Sequence, residues 1–297
     1  MQRFTKQIEF NSGNAKCLTE RYETLNEFLA VLDTRERAKE YSNSRDGSHR
    51  LETYDDSEFR GVKGYSEAKT LMERGVPRAI EELKTAISSA NGTRAKAVNY
   101  RDVAGYNPIV PAAIQGHPLS MMNKKRVEVK SKVIDIYVNC AVRCSTKEKD
   151  ITDAGIKLLR YIDKIEKSGT RINLYACAIQ NGDDNSAAAL AVKIKDANRS
   201  IDIARLSFCL SHPAFLRVFC FDWLTRVGDI PYYYGYGHAI AQDANGEKLR
   251  QIYTTLFGKN AVNVEIENII HNKAGGEDYI KKALADKFDG DAAATKR

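Results

Sequence analysis

Two short strings hold the side chains best suited to contacting a partner. Residues 231–238 read Pro-Tyr-Tyr-Tyr-Gly-Tyr-Gly-His, which sets Tyr232, Tyr233, Tyr234 and Tyr236 among glycines. Phenol rings on so pliable a backbone suit stacking on bases or contact with a protein partner. Rings folded back beneath a helix are the plainer use of the same string. The second string places Lys124, Lys125, Arg126, Lys130 and Lys132 within nine residues. Read as a strand, alternate residues share a face. The cations then form either a stripe of phosphate contacts or the charged guard of an edge strand.

Catalytic signatures are missing from the chain. Histidines stand singly at 49, 117, 212, 238 and 271, and no GxSxG elbow, HExxH pair or Gly-rich phosphate loop occurs. His212 precedes Pro213 in an apolar stretch, where a packed, hydrogen-bonded imidazole is expected. His117 sits in a proline-rich loop and is the better functional histidine. Asp135, read toward the C-terminal part of a strand, stands where α/β sheets gather ligands. Asp135 and His117 are therefore the cleft candidates. The other acids have structural roles: Asp150 and Asp153 open a helix, Asp183 and Asp184 fill a turn, and Asp202 and Asp222 can pair with Arg205 and Arg226. Of six cysteines, Cys177, Cys209 and Cys220 lie in apolar runs as small hydrophobes. Cys140 and Cys144 have no second ligand pair at zinc spacing. No metal and no cofactor is expected.

The elements that must position these residues follow from periodicity. Arg21 to Leu32 repeats apolar residues at intervals of three and four, predicting a helix capped by Thr19. The polar 42–50 stretch reads as a linker. Two helices follow, one from Ser66 to Gly75 and one opened by Pro77. Residues 99–122 contain three prolines and read as an extended connector. Beyond Lys124 the pattern becomes a strand at 126–142, a helix at 151–165, a hairpin of 171–179 with 188–194, and helices at 201–210 and from Pro213. A helix at 246–257, a strand at 261–266 and a helix at 276–288 complete the order. That order predicts an α/β fold, a mostly parallel sheet flanked by helices, behind an N-terminal mainly helical region. The expected division is 1–125, 126–290 and a flexible tail at 291–297.

Composition sets the outer limits. In 297 residues, 46 Lys and Arg against 39 Asp and Glu leave a net charge of +7, and 43% hydrophobic content can build a core. A disordered or collagenous chain is excluded. No apolar run reaches the roughly 20 residues of a membrane span, and Met1 to Ser12 lacks an export h-region. A cytoplasmic protein with no membrane contact is expected. The basic balance permits nucleic-acid binding.

The strand, long helix, hairpin and paired helices across 130–285 resemble the von Willebrand factor A domain. The metal-adhesion motif of that family, D-x-S-x-S, is replaced here by Asp135-Ile-Tyr137-Val-Asn139, so no metal ligand carries over. A closer resemblance is to an uncharacterised bacteriophage and mobile-element family, through GVKGYSEAKTLMERG (61–75), DVAGYNPIVPAAIQGHPLSMM (102–122), SGTRINLYA (168–176) and RLSFCLSHPAFLRVFCF (205–221). It implies a phage-encoded protein of the bacterial host cytoplasm. The expected function is a non-catalytic interaction protein, either a nucleic-acid-associated factor or an adaptor for another phage or host protein. Lys124, Lys125, Arg126 and Lys130 would contact phosphates while the tyrosines stack. The alternatives are a hydrolytic or nucleotide-directed enzyme built on Asp135 and His117, and a self-assembling structural protein.

Overall fold

The computed structural model describes residues 2–10, 13–34, 57–86, 96–127, 132–167, 169–181, 186–227, 247–258, 261–271 and 278–282. Chain order runs β1 (Gln2–Phe10), β2 (Gly13–Tyr22), α1 (Leu25–Thr34), α2 (Ser57–Arg60), α3 (Tyr65–Arg74) and α4 (Pro77–Ala86). Next come β3 (Lys96–Asp102), β4 (Asn107–Pro108), α5 (Val110–Ile114) and β5 (Met121–Val127). Then follow β6 (Val133–Asn139), α6 (Glu148–Lys167), β7 (Arg171–Asn181), β8 (Ser186–Lys195) and α7 (Ile203–Ser211). A π-helical turn at Phe215–Cys220, α8 (Phe221–Val227), α9 (Glu247–Phe257), β9 (Val262–Glu265) and α10 (Ile266–His271) complete the series. Chain contacts define two compact units, Met1–Ser88 with Val133–Arg297, and Ser89–Lys132. The boundary expected near 125 falls within β5, and the single strand expected at 126–142 divides between the units.

The larger unit is built on a six-stranded sheet ordered β1-β2-β8-β7-β6-β9. β2 with β8, β6 with β7 and β6 with β9 are parallel, whereas β1 with β2 and β7 with β8 are antiparallel. The fold is therefore α/β, but its sheet is mixed rather than mostly parallel. One antiparallel pair is the expected β7–β8 hairpin, and the other comes from the N-terminal strands. Residues 2–10 and 13–22 are not helical: they pair as a hairpin's two strands and extend the sheet from the β8 edge. Arg21 and Tyr22 end β2, and α1 starts later, where the Thr24 hydroxyl accepts from the Glu27 N–H at 3.1 Å. That bond satisfies one orphan donor of the helix start, and Glu27 in turn accepts from the Glu23 N–H, just before the cap, at 3.0 Å.

Alternation along the inner strands serves two cores. Ile134, Ile136, Val138, Ile172, Leu174 and Leu190 enter the larger one, under α1, α3, α4, α6, α7, α8 and α10. Tyr137, Tyr175, Cys177, Ile179 and Ala191 enter a smaller one, covered by Ile252, Tyr253 and Leu256 of α9. Helices thus cover both faces, as the alternation of the inner strands requires. α6 runs through the larger core with Ile151, Ile156, Leu158, Leu159 and Ile162 buried, each contributing roughly 1.5–3 kcal/mol. It meets α7 at Gly155, where a Cβ would strike the Leu210 carbonyl oxygen and the Ser211 hydroxyl. The Thr152 hydroxyl donates to the Ser211 carbonyl at 2.8 Å beside that contact.

The smaller unit is a three-stranded antiparallel sheet, β3-β5-β4. The connector expected at 99–122 therefore contains strands and the short helix α5. Residues 42–50, the turn holding Asp183 and Asp184 and the tail at 291–297 lie outside the described residues, as does most of the helix expected at 276–288. Among the described residues, no single helix is long and apolar enough to cross a membrane.

Candidate functional site

The basic string maps onto β5 of the smaller unit. Lys124 pairs in register with Asn99, Lys125 with Val98, and Arg126 with Ala97. Directly paired residues share a face, so Asn99, Arg101, Met122 and Lys124 stand on one side of this sheet. Tyr106, just before β4, completes that side. Its N–H donates to the Met122 carbonyl at 2.9 Å, and its hydroxyl donates to the Asn99 side-chain oxygen at 3.3 Å. The Lys124 ammonium sits 4.8 Å from the Tyr106 ring centroid. The acid Asp102 belongs to the other face, where it accepts from the Val103 N–H at 2.7 Å and from Asn123 at 3.4 Å. A cationic, aromatic surface results, with no acid on it among the described residues.

Charge is concentrated in the same unit. Ser89–Lys132 has eight Lys and Arg against two Asp and Glu, hence +6 of the chain's +7. Apolar exposure is concentrated there too. Tyr100, Val103, Tyr106, Val110, Ile114 and Leu119 are exposed, and Val133 is the one other large exposed hydrophobic among the described residues. Sequence reasoning found the lysines but not this concentration, because the limits of the unit are set by pairing, not by composition.

A second cluster crosses four strands of the larger sheet. Arg21 of β2 donates to the Tyr175 hydroxyl at 2.6 Å and the Tyr137 hydroxyl at 3.4 Å. Tyr137 stacks on Tyr175 at 4.5 Å and on Phe257 at 4.0 Å between ring centroids. Glu23 bridges Arg21, at 3.1 Å, and Lys193. Burial raises both phenol pKa values, and Arg21 partly opposes it. Asp135 belongs here, as the third residue of β6, where its carboxylate accepts from Asn173 at 2.8 Å. It lies toward the strand's N-terminal end and not at the C-terminal rim where sequence reading put it. The cations and acids of this patch neutralise one another.

The C-terminal rim of β6 and β9 holds a third cluster. Glu265 is buried and accepts from the Tyr253 hydroxyl at 2.5 Å and the Asn139 amide at 2.8 Å. Burial lifts its pKa to about 7, against the pull of those two hydrogen bonds. Asn139 also accepts from the N–H groups of Ala141, at 3.2 Å, and Ile179, at 3.3 Å. Every polar atom of the Asn139 side chain is thus engaged, and the rim holds a structural carboxyl.

The remaining candidates are placed as follows. His117 is exposed in the smaller unit, its Nδ1 accepting from the Leu119 N–H at 3.1 Å. Asp135 belongs to the other unit. Lys130, Tyr232, Tyr233, Tyr234 and Tyr236 lie outside the described residues. His212 is the packed imidazole expected, accepting from the Ala214 N–H at 3.1 Å, with burial lowering its pKa to about 4. Cys177, Cys209 and Cys220 are buried thiols, as is Cys140, while Cys144 is exposed. Asp202 caps α7, accepting from the Arg205 N–H at 3.2 Å. Asp153 instead ties α6 to Arg78 of α4 at 2.6 Å.

Sequence reasoning also missed Arg217. It is a buried cation in the π-helical turn and donates to the carbonyls of Phe59, Arg143, Cys144 and Thr146 at 2.5–3.4 Å. The π turn therefore aims a guanidinium at the loop that follows β6.

These features define a mixed α/β protein with a second, small and strongly basic β unit. Residues 6–287 match the family described as Domain of unknown function (DUF7192), and the chain belongs to that family. No curated protein and no solved structure matches it.

Proposed function

We propose that this chain is a non-catalytic, nucleic-acid-associated protein whose Ser89–Lys132 unit makes the phosphate contacts. One observation carries the reading: about six-sevenths of the net positive charge lies in that unit, +6 of +7. Charge spread over a whole surface serves solubility. Charge gathered in one small unit with an aromatic residue beside a cation suits a polyanion.

Fluorescence anisotropy with a labelled oligonucleotide tests the reading. If about four cations contact phosphates, affinity falls on the order of a hundredfold between 50 and 200 mM salt. Lys124→Gln weakens binding and flattens that dependence. Absent binding at low salt, or affinity indifferent to salt, refutes the proposal.

A second reading, an assembly adaptor, is favoured by the exposed Val103, Val110, Ile114 and Leu119 of the same unit. A native mass equal to one chain in the parent and in Ile114→Ser removes self-assembly from that reading. The order β8-β7-β6-β9, with the antiparallel β7–β8 hairpin and α6 after β6, supports a von Willebrand factor A-like core. A phage-type origin and work in the bacterial cytoplasm belong to the same proposal, and rest on the resemblance of the stretches at 61–75, 102–122, 168–176 and 205–221 alone.

A further inference from the structure

We infer that the ligand of the smaller unit is single-stranded nucleic acid, with Tyr106 as the platform on which an unpaired base stacks. The inference rests on the reading just given and specifies its ligand.

The geometry around the ring is the argument. Tyr106 is 56% exposed, yet it is held at three points. Its N–H bonds to Met122 at 2.9 Å and its hydroxyl to Asn99 at 3.3 Å, and the Lys124 ammonium lies 4.8 Å from its centroid. A fixed, exposed ring has already lost the rotamer freedom that stacking would otherwise cost. Its cation lies close enough to meet the phosphate attached to a stacked base.

Duplex does not use such a surface well. A β-ribbon reading the major groove presents donors and acceptors to base edges. Here a ring 56% exposed stands beside Asn99 and Lys124, so a ligand reaching this side of the sheet meets an aromatic group as well as a cation. Paired bases keep their own π faces stacked inside the helix, and only a single strand can offer one. Arg101 and Lys124 stand on this same side, while Asp102 faces the other. The backbone of a strand crossing the sheet would therefore meet cations without a nearby acid. A π face accepts every base, so the binding is tolerant of sequence.

The test uses the full chain at low salt. Labelled mixed-sequence single-stranded DNA, the matching RNA and the matching duplex are titrated against the parent, Tyr106→Leu and Tyr106→Phe. The parent is expected to prefer either single strand over duplex. Tyr106→Leu should lose roughly five- to a hundredfold on single strands, with duplex affinity held within about twofold. Tyr106→Phe keeps the ring and should restore most of the single-strand affinity. Circular dichroism of each variant confirms an unchanged fold. Salt-dependent binding in which duplex matches or exceeds single strand, or equal losses on both for Tyr106→Leu, overturns this inference and leaves the nucleic-acid reading standing. Absence of binding to all three probes overturns both.

Discussion

Two buried groups with opposite proton linkage stand out among the side chains. Glu265 has its pKa raised from 4.5 to about 7, so folding favours its protonated form. Its contribution is complete below pH 4.5 and is lost as pH rises through 7. His212 has its pKa lowered from 6.5 to about 4, so folding favours its neutral form. Its contribution is complete above 6.5 and is lost as pH falls through 4. Each shift corresponds to roughly 3 kcal/mol at 1.36 kcal/mol per unit, and the two slopes oppose each other across the same window. Glu265→Gln should therefore gain stability relative to the parent, by roughly 3 kcal/mol between pH 4.5 and pH 8. His212→Gln should gain relative to the parent in the other direction, toward acid. Urea midpoints measured at three pH values check both. A Glu265→Gln difference that stays constant with pH contradicts the buried-carboxyl account.

At the level of elements, Gly155 sets propensity against packing. Replacing a mid-helix glycine by alanine ordinarily stabilises by about 0.5–1 kcal/mol. On α6 the added Cβ would meet the Leu210 carbonyl oxygen and the Ser211 hydroxyl. Gly155→Ala should instead destabilise by roughly 1–3 kcal/mol, because the α6–α7 interface must open to admit it. A denaturant midpoint above the parent's would refute that. The sequence revealed α6, the β7–β8 hairpin and α9, whose periodicity is local and strong. It concealed the end of β2, because the apolar residues of Arg21 to Leu32 mimic one continuous helix face. Tyr22 in fact points into the core from a strand end. The lysines of β5 were legible as chemistry, but Tyr106 was not, since its role comes from Asn99 and Lys124, brought together by β3–β5 pairing across a connection that holds β4 and α5. Arg21 was hidden in the same way: its two phenol partners lie 116 and 154 residues away.

At the level of the whole molecule, the two units divide the labour of charge and core. Replacing residues 89–132 by a Gly-Ser linker takes the net charge from +7 to +1. A linker of about 12 residues reaches roughly 40 Å. Such a variant should keep the near-ultraviolet circular dichroism of the buried Trp223 while losing oligonucleotide binding. Retained binding would move the contact to the larger unit. The sheet of that larger unit also sets a timetable for its making. Lys16 of β2 pairs with Ser186 of β8, so the β1–β2 hairpin leaves the ribosome about 170 residues ahead of its neighbour. Synthesis at about 5–20 residues per second makes that wait roughly 10–30 seconds. Throughout it the nascent hairpin has an unfilled edge, the form of polypeptide most prone to join another chain. Products of interrupted translation that stop short of β8 are thus the ones most in need of a chaperone.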